Sequence, residues 1–272
     1  MIIAVDTGGT KTLIARFDNG KIVGDTIKFP TPRDSAEYTA EIIKHVTHLA
    51  NNQPPAAISI AVPGITRNNR VERFANLPWQ DFNIVAKLQP YFPNSLITVQ
   101  NDANLGGLGE ARLLPNTPER VLYVTVSTGI GTGFIVGGQI DQTMNNSEGG
   151  HMVLNFEGKA DEWESFASGR AIHETYGKFV REIQDRATWE AIASRLSVGF
   201  NAILPVLQPD LVIIGGSVGT YFDAYGEMLI TDINEHLNPI ITTKPVFTQA
   251  KHPEEAVVYG CYFYAIDYLA RR

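Results

Sequence analysis

Asn101-Asp102 follows an apolar run, Leu96 to Gln100, and leads into a glycine-rich stretch. A carboxylate placed there could take the proton from a hydroxyl nucleophile, as phosphoryl transfer to an alcohol requires. Asp is also a favoured N-cap residue, so Asp102 could simply cap the next helix. Spacing alone does not separate the two readings. Glu148 and His151 lie three apart at the end of a polar stretch, and Glu164 follows. Together they offer acceptors and donors suited to sugar hydroxyls, whereas each alone reads as a solvated loop side chain. A third group is glycine-rich. Asp6-Thr7-Gly8-Gly9-Thr10-Lys11, Ser127-Thr128-Gly129-Ile130-Gly131-Thr132-Gly133 and Gly215-Gly216 each follow a strand-like run. Backbone N–H groups in such turns bind phosphate well. Three contacts along one triphosphate nucleotide would account for all three.

Other chemistries fit less well. The Walker spacing occurs at neither hairpin, and the glycines at 129, 131, 133, 137 and 138 do not match the dinucleotide fingerprint. A His-Glu-x-x-His metalloprotease motif is missing from the sequence. His45 and His48 stand three apart on one helical stretch and read as surface histidines rather than a metal site.

The elements that must position these residues alternate. Ile2–Phe17 reads as strand, turn, strand, and Val126–Gly138 repeats the arrangement. Two such hairpins suggest two related halves gripping one phosphate chain. Lys21 to Lys28 reads as a third strand, and Asp34-Ser35-Ala36-Glu37 as a capping box. The helix it opens carries Ile42, Ile43, Val46 and Leu49 on one face. Ala57–Val62 is a buried-type strand ending in Pro63-Gly64. Thr66 to Arg73 reads as irregular. Ala103–Arg112 reads as a helix whose Gly106, Gly107 and Gly109 hint at close packing on another backbone. Leu114 to Pro118 looks like a boundary. Beyond it, Asp141–Gly150 reads as a loop, and Ala171–Asp185, Thr188–Leu207, Tyr221–His236 and Ala256–Leu269 as helices. Leu211–Ile214 and Val246–Gln249 read as strands. The alternation gives an α/β class.

The chain has 272 residues, 44% hydrophobic and 19% charged, with a net charge of −7. An acidic balance argues against nucleic acid as the main partner. No uninterrupted apolar run reaches membrane-span length. Met1 leads directly into the first strand, so neither a signal peptide nor a membrane partner is expected, and a cytoplasmic location is. The lone cysteine, Cys261, excludes an internal disulfide and a cysteine-rich metal site.

Taken in order over nearly the full length, these motifs resemble the ROK family (repressors, open reading frames and sugar kinases). That family lies within the superfamily of sugar kinases, actin and heat-shock chaperones. The resemblance implies two actin-like, ribonuclease H-like domains with a ligand cleft between them, residues 1–114 plus 256–272 and residues 115–255. It implies ATP and Mg²⁺ as cofactors and a hexose as substrate, with glucose fitting the Glu-x-x-His plus second Glu pattern. N-acetylmannosamine, fructose and other hexoses stay open, as does polyphosphate as donor. Asp102 would be the general base. Gly64, Asn76 from Asn76-Leu77-Pro78-Trp79, Asn101, Glu148, His151 and Glu164 would hold the sugar. Gly8, Gly9, Thr10, Lys11, Thr128, Gly129 and Gly131 would cradle phosphates, and Gly215 and Gly216 would face the adenosine. Asp6 would lie near Mg²⁺, through water. Family habit suggests a homodimer. Sugar-responsive repressors of the family carry a helix-turn-helix ahead of the first motif. With Met1 abutting the first strand and an acidic pI, that role is not the expected one. One departure is plain: many members hold a structural zinc with that histidine and a cysteine cluster, yet residues 153–162 contain no cysteine. A closed zinc site needs about four ligands, so no zinc is expected, and something else must orient His151.

Overall fold

A computed structural model of the chain describes residues 1–51, 53–241 and 244–271. In chain order the elements are β1 (Ile2–Thr7), β2 (Lys11–Asp18), β3 (Lys21–Ile22), β4 (Ile27–Pro30), α1 (Ser35–Ala50), β5 (Ala57–Val62), β6 (Gly64–Arg67), β7 (Arg70–Phe74), α2 (Ile84–Leu88), β8 (Leu96–Asn101) and α3 (Asp102–Arg112). They continue as β9 (Arg120–Val126), β10 (Ile130–Val136), β11 (Gln139–Ile140), β12 (Val153–Phe156), β13 (Lys159–Glu162), α4 (Trp163–Ala167), α5 (Gly169–Tyr176), α6 (Arg186–Leu207), β14 (Leu211–Gly215), α7 (Gly216–Gly219), α8 (Phe222–His236), β15 (Val246–Gln249) and α9 (Ala256–Ala270). The chain divides into two compact units, Met1–Leu113 with Glu254–Arg272, and Leu114–Pro253.

In the first unit the main sheet runs β3-β2-β1-β5-β8, with β4 also on β2. The β1–β2 pair is antiparallel, and β1–β5 and β5–β8 are parallel. One face carries Ile3, Val5, Ile58 and Ile60 and packs with Tyr38, Ile42 and Val46 of α1 in one core. The other face is paved with small buried residues, Ala4, Ala15, Ala57 and Ser59, and receives α9. Phe17 on that face stacks on Tyr262 and meets Tyr259 edge-on. The close-packing hint in α3 holds at Gly109. A Cβ there would lie 1.9 Å from the Ala256 carbonyl oxygen, and one at Gly260 would lie 1.8 Å from that of Leu105. Glycine at both places lets the α3 and α9 backbones touch.

In the second unit the sheet runs β11-β10-β9-β14-β15, with β11–β10 and β10–β9 antiparallel and β9–β14 and β14–β15 parallel. Its core joins Leu122, Val124, Val212 and Ile214 to Ile192, Leu196 and Phe200 of α6 and to Tyr225 and Leu229 of α8. By length and mean hydropathy, 1.2 over its best window, α6 could cross a bilayer. Its apolar side is instead spent in this core, with Trp189, Ile192, Leu196, Phe200 and Leu204 buried.

Several local expectations need correction. Residues 21–28 are not one strand: β3 and β4 are separate short partners of β2. The segment read as irregular, Thr66 to Arg73, lies in the β6–β7 hairpin, which reverses at Asn68 and Asn69, both with positive φ. The helix expected from Ala171 to Asp185 stops at Tyr176, where Gly177 takes a left-handed C-cap. His45 is not a surface residue. It lies 3.0 Å from a Glu41 carboxylate oxygen and packs its ring against Phe29.

Candidate active site

In the first unit, the β1–β2 turn is closed by the Gly8 N–H donating to the Lys11 carbonyl at 2.9 Å. Thr31, just after β4, braces it from behind. Its hydroxyl donates to the Gly8 carbonyl at 2.8 Å, and its N–H to the Thr10 carbonyl at 3.0 Å. The Thr10 and Lys11 side chains are left exposed. Asn76 is brought beside this turn, for a Cβ on Gly9 would meet its side chain at 3.1 Å. Asp6 lies in a cross-strand row with Leu13 and Lys28 on one side and Ala61 on the other. Burial pushes its carboxyl up to about 6, and the Lys28 ammonium opposes the rise.

Asp102 is not the N-cap of α3. The N-cap of α3 is Asn101, whose side-chain oxygen accepts the Asn104 N–H at 3.0 Å. The Asn101 amide donates to the Gly64 carbonyl at 3.1 Å. Asp102 is the first helical residue, and one of its oxygens accepts the N–H of Ala103 at 2.9 Å. A carboxylate in a helix's first turn sits where the backbone dipoles favour negative charge. Gly64 and Asn101 thus hold each other next to Asp102, at the start of β6 and the end of β8.

The second unit gathers its expected residues more tightly. Ser127 is the junction of its Gly-rich turn. Its carbonyl accepts the Gly169 N–H at 2.7 Å, and its hydroxyl accepts the Ser217 N–H at 3.1 Å. The β9–β10 turn, with Thr128 exposed at its tip, therefore meets both the start of α5 and the Gly215-Gly216 turn. Gly216 has a φ of +79° and no room for a side chain against the Val126 carbonyl. Gly131 lies in β10 opposite Thr125. One Glu164 oxygen, Oε2, accepts the Ile130 N–H at 3.1 Å, and a Cβ on Gly129 would meet it at 2.6 Å. The other oxygen is 3.5 Å from the Arg170 guanidinium.

Glu148 precedes a 3-10 turn, Gly149–His151, and His151 ends it. The turn lies flat on β10 because its residues lack side chains there. The Gly149 N–H donates to the Thr132 hydroxyl at 3.1 Å, and a Cβ on Gly150 would stand 2.1 Å from the Ile130 carbonyl oxygen. This docking brings His151 to Glu164 and to a residue with no role in the sequence reading, Glu162. His151 Nδ1 is 2.9 Å from Glu162 Oε2. Ligand-capable atoms of His151, Glu162 and Glu164 lie within 4.8 Å of one another. Glu162 is the main cause that raises the His151 ring above the ordinary histidine value. Burial, opposed by His151 and reinforced by Glu164, raises the Glu148 carboxyl. A set of three carboxylates and an imidazole can accept hydrogen bonds from several hydroxyls of one polyol. Residues 153–162 form the β12–β13 hairpin, which pairs Val153 with Glu162. Loop-like polarity hid that hairpin. The signal that could have found Glu162 was its alternation with Glu164 around the buried Trp163.

The ROK family profile matches residues 2–267. The chain belongs to the ROK family. Its relatives include a kanosamine kinase of Amycolatopsis mediterranei, 27% identical over 243 residues, which are 79% of this chain and 79% of that protein. They also include a xylose repressor of Bacillus subtilis, 26% identical over 68% of this chain and 56% of the repressor. Among solved structures, a ROK family glucokinase from Streptomyces griseus in complex with glucose and AMPPNP is similar with a TM-score of 0.77. It is 22% identical, with 98% of this chain and 99% of that one covered. The fold of this ROK protein is the two-domain actin-like α/β fold of those structures.

Proposed function

We propose that this ROK protein is an ATP-dependent hexose kinase that phosphorylates glucose in preference to other hexoses. The observation that carries the proposal is the docking of Glu148, His151 and Glu164 against the second Gly-rich turn. A hydroxyl-binding set there adjoins a phosphate-type turn. Glucose bound to the Streptomyces griseus relative, and AMPPNP with it, support the choice of sugar and donor. Asp102 accepts the proton of the attacking hydroxyl, and Asn101, Gly64 and Asn76 line the sugar from the first unit. Glu148, His151 and Glu164 accept from its other hydroxyls.

The residues present suit a magnesium nucleotide. Both Gly-rich turns offer backbone N–H groups with little side-chain bulk, and the Asp6 carboxylate is one whose charge burial disfavours until a cation offsets it. Bound MgATP supplies the terminal phosphoryl group as the electrophile. Gly8, Gly9, Thr10 and Lys11 on one turn and Thr128, Gly129 and Gly131 on the other hold its phosphates, with Gly215 and Gly216 on the adenosine side and Asp6 near Mg²⁺ through water.

The test is ADP release with MgATP, or phosphate transfer from polyphosphate, against a panel of hexoses and N-acetylhexosamines, with Asp102→Asn alongside. Sugar-dependent turnover should fall about 10²- to 10⁴-fold in the variant, with sugar affinity kept within a few-fold. The xylose repressor relative sets the competing outcome: sugar binding without turnover in the wild type, unchanged by Asp102→Asn, overturns the kinase reading.

A further inference from the structure

We infer that Glu162 is a positioning residue for His151, orienting the ring through a hydrogen bond at Nδ1. The inference rests on the proposed role of His151 as a sugar contact. A carboxylate only accepts hydrogen bonds, so at 2.9 Å the proton between Glu162 Oε2 and His151 Nδ1 belongs to the ring. With Nδ1 carrying that proton, neutral His151 has its lone pair on Nε2, available to a hydroxyl. The partner thus sets both the tautomer and the plane of the ring.

A purely local role for Glu162 is disfavoured by where it stands. It occupies the N-cap position of α4, yet its side chain makes no cap hydrogen bond. Its carboxylate therefore gives the helix no capping hydrogen bond and is directed to the His151 ring instead. Its backbone is held firmly. It pairs with Val153, two residues past His151, and its N–H donates to an Asp161 oxygen at 2.9 Å. The next residue, Trp163, is fully buried and donates its N–H to the Met152 carbonyl at 2.9 Å. The hairpin thus returns the chain to His151 with little freedom, which is the condition for orienting a binding group without a metal. Glu148, from the turn ahead of His151, and Glu164, from α4, complete the charged groups around the ring, with Arg170 of α5 on Glu164.

The test uses the full chain with Glu162→Gln, Glu162→Ala and His151→Asn. Glu162 and His151 are 44% and 51% exposed at their side chains, so the variants are expected to fold, and circular dichroism checks it. Nitrogen-detected NMR of the ring without sugar should show the Nδ1–H tautomer in the wild type and a shift toward the Nε2–H form in Glu162→Ala. Hexose KM should rise about tenfold or more in Glu162→Ala, as for loss of a hydrogen bond to a charged group, with kcat within about threefold. Glu162→Gln, which still presents an acceptor oxygen, should recover most of the affinity. An unchanged tautomer or an unchanged KM in Glu162→Ala overturns the inference. So does one equivalent of metal on the purified wild type that chelation removes with the same rise in KM, for then the pair are ligands. Absence of turnover on every hexose sinks the kinase reading alone; the tautomer, and hexose affinity by calorimetry, still decide the role of Glu162.

Discussion

In the first unit the β1–β2 turn is braced by a hydroxyl, that of Thr31, while in the second unit the β9–β10 turn is braced by a carboxylate, that of Glu164. The two turns occupy the same place in sheets of the same strand pattern. What differs is the chain that follows. After β4 the first unit goes directly to α1, whereas the second inserts the 3-10 turn, the β12–β13 hairpin, α4 and α5 before α6. That insertion carries Glu148, His151, Glu162 and Glu164. One hairpin plan thus recurs in both units, and the added segment sets a cluster of carboxylates and an imidazole beside one of them. Glu164 links the two: one oxygen accepts the Ile130 N–H of the turn, and its carboxylate lies within 4.8 Å of ligand-capable atoms of His151 and Glu162.

The largest test of this contrast concerns glycines. Gly260→Ala drives a Cβ onto the Leu105 carbonyl in the first unit, and two packed helix backbones cannot both give way. It is expected to cost about 3 kcal/mol or more in urea unfolding. Gly150→Ala drives a Cβ onto Ile130 in the second unit, where the short turn can lift. It is expected to lose hexose affinity at least about tenfold with a smaller stability loss, measured by calorimetry beside the same unfolding. Equal stability losses and intact affinity would break the contrast.

Asp6 gives the next effect. Its folded value of about 6 lies above the ordinary 3.8, so the native state prefers the proton. Stability from this group is full below about 3.8 and is lost as pH rises through 6. Asn at that position carries no charge to desolvate. Asp6→Asn should therefore be more stable than wild type at pH 8, by roughly 1–3 kcal/mol, and gain nothing at pH 3.5, while losing MgATP-dependent activity. A gain that does not change with pH would show that charge burial is not the cause. The smallest effect is expected from Thr31→Val, which removes the brace on Gly8 and leaves the Thr12 hydroxyl without its 2.9 Å partner. A loss of about 1 kcal/mol, with a few-fold rise in ATP KM and no change in hexose KM, would separate the two braces.

Much of the fold could be read from the chain, because its central strands are continuous apolar runs. Ala57–Val62 and Leu211–Ile214 admit few alternatives, and glycines after strands mark turns whatever the surroundings. The residues expected in the second unit do converge there. The chain did not reveal the β6–β7 and β12–β13 hairpins, since exposed hairpins lack the apolar alternation that marks a half-buried strand. Nor could it say whether Asp102 caps α3, because Asp is a favoured cap and only the backbone path shows that Asn101 holds that position.

The sequence by itself determined the order of the central strands and main helices, the two matched hairpins and the residue types suited to phosphate and hydroxyl groups. These follow from local propensity and from side-chain chemistry, which travel with the residue. Only the tertiary structure decided that Glu162 meets His151, that Glu164 braces a turn 34 residues away, and that Asp6 holds its proton to about pH 6. Each depends on how chain segments pack and how much water they exclude, and no residue carries that information alone.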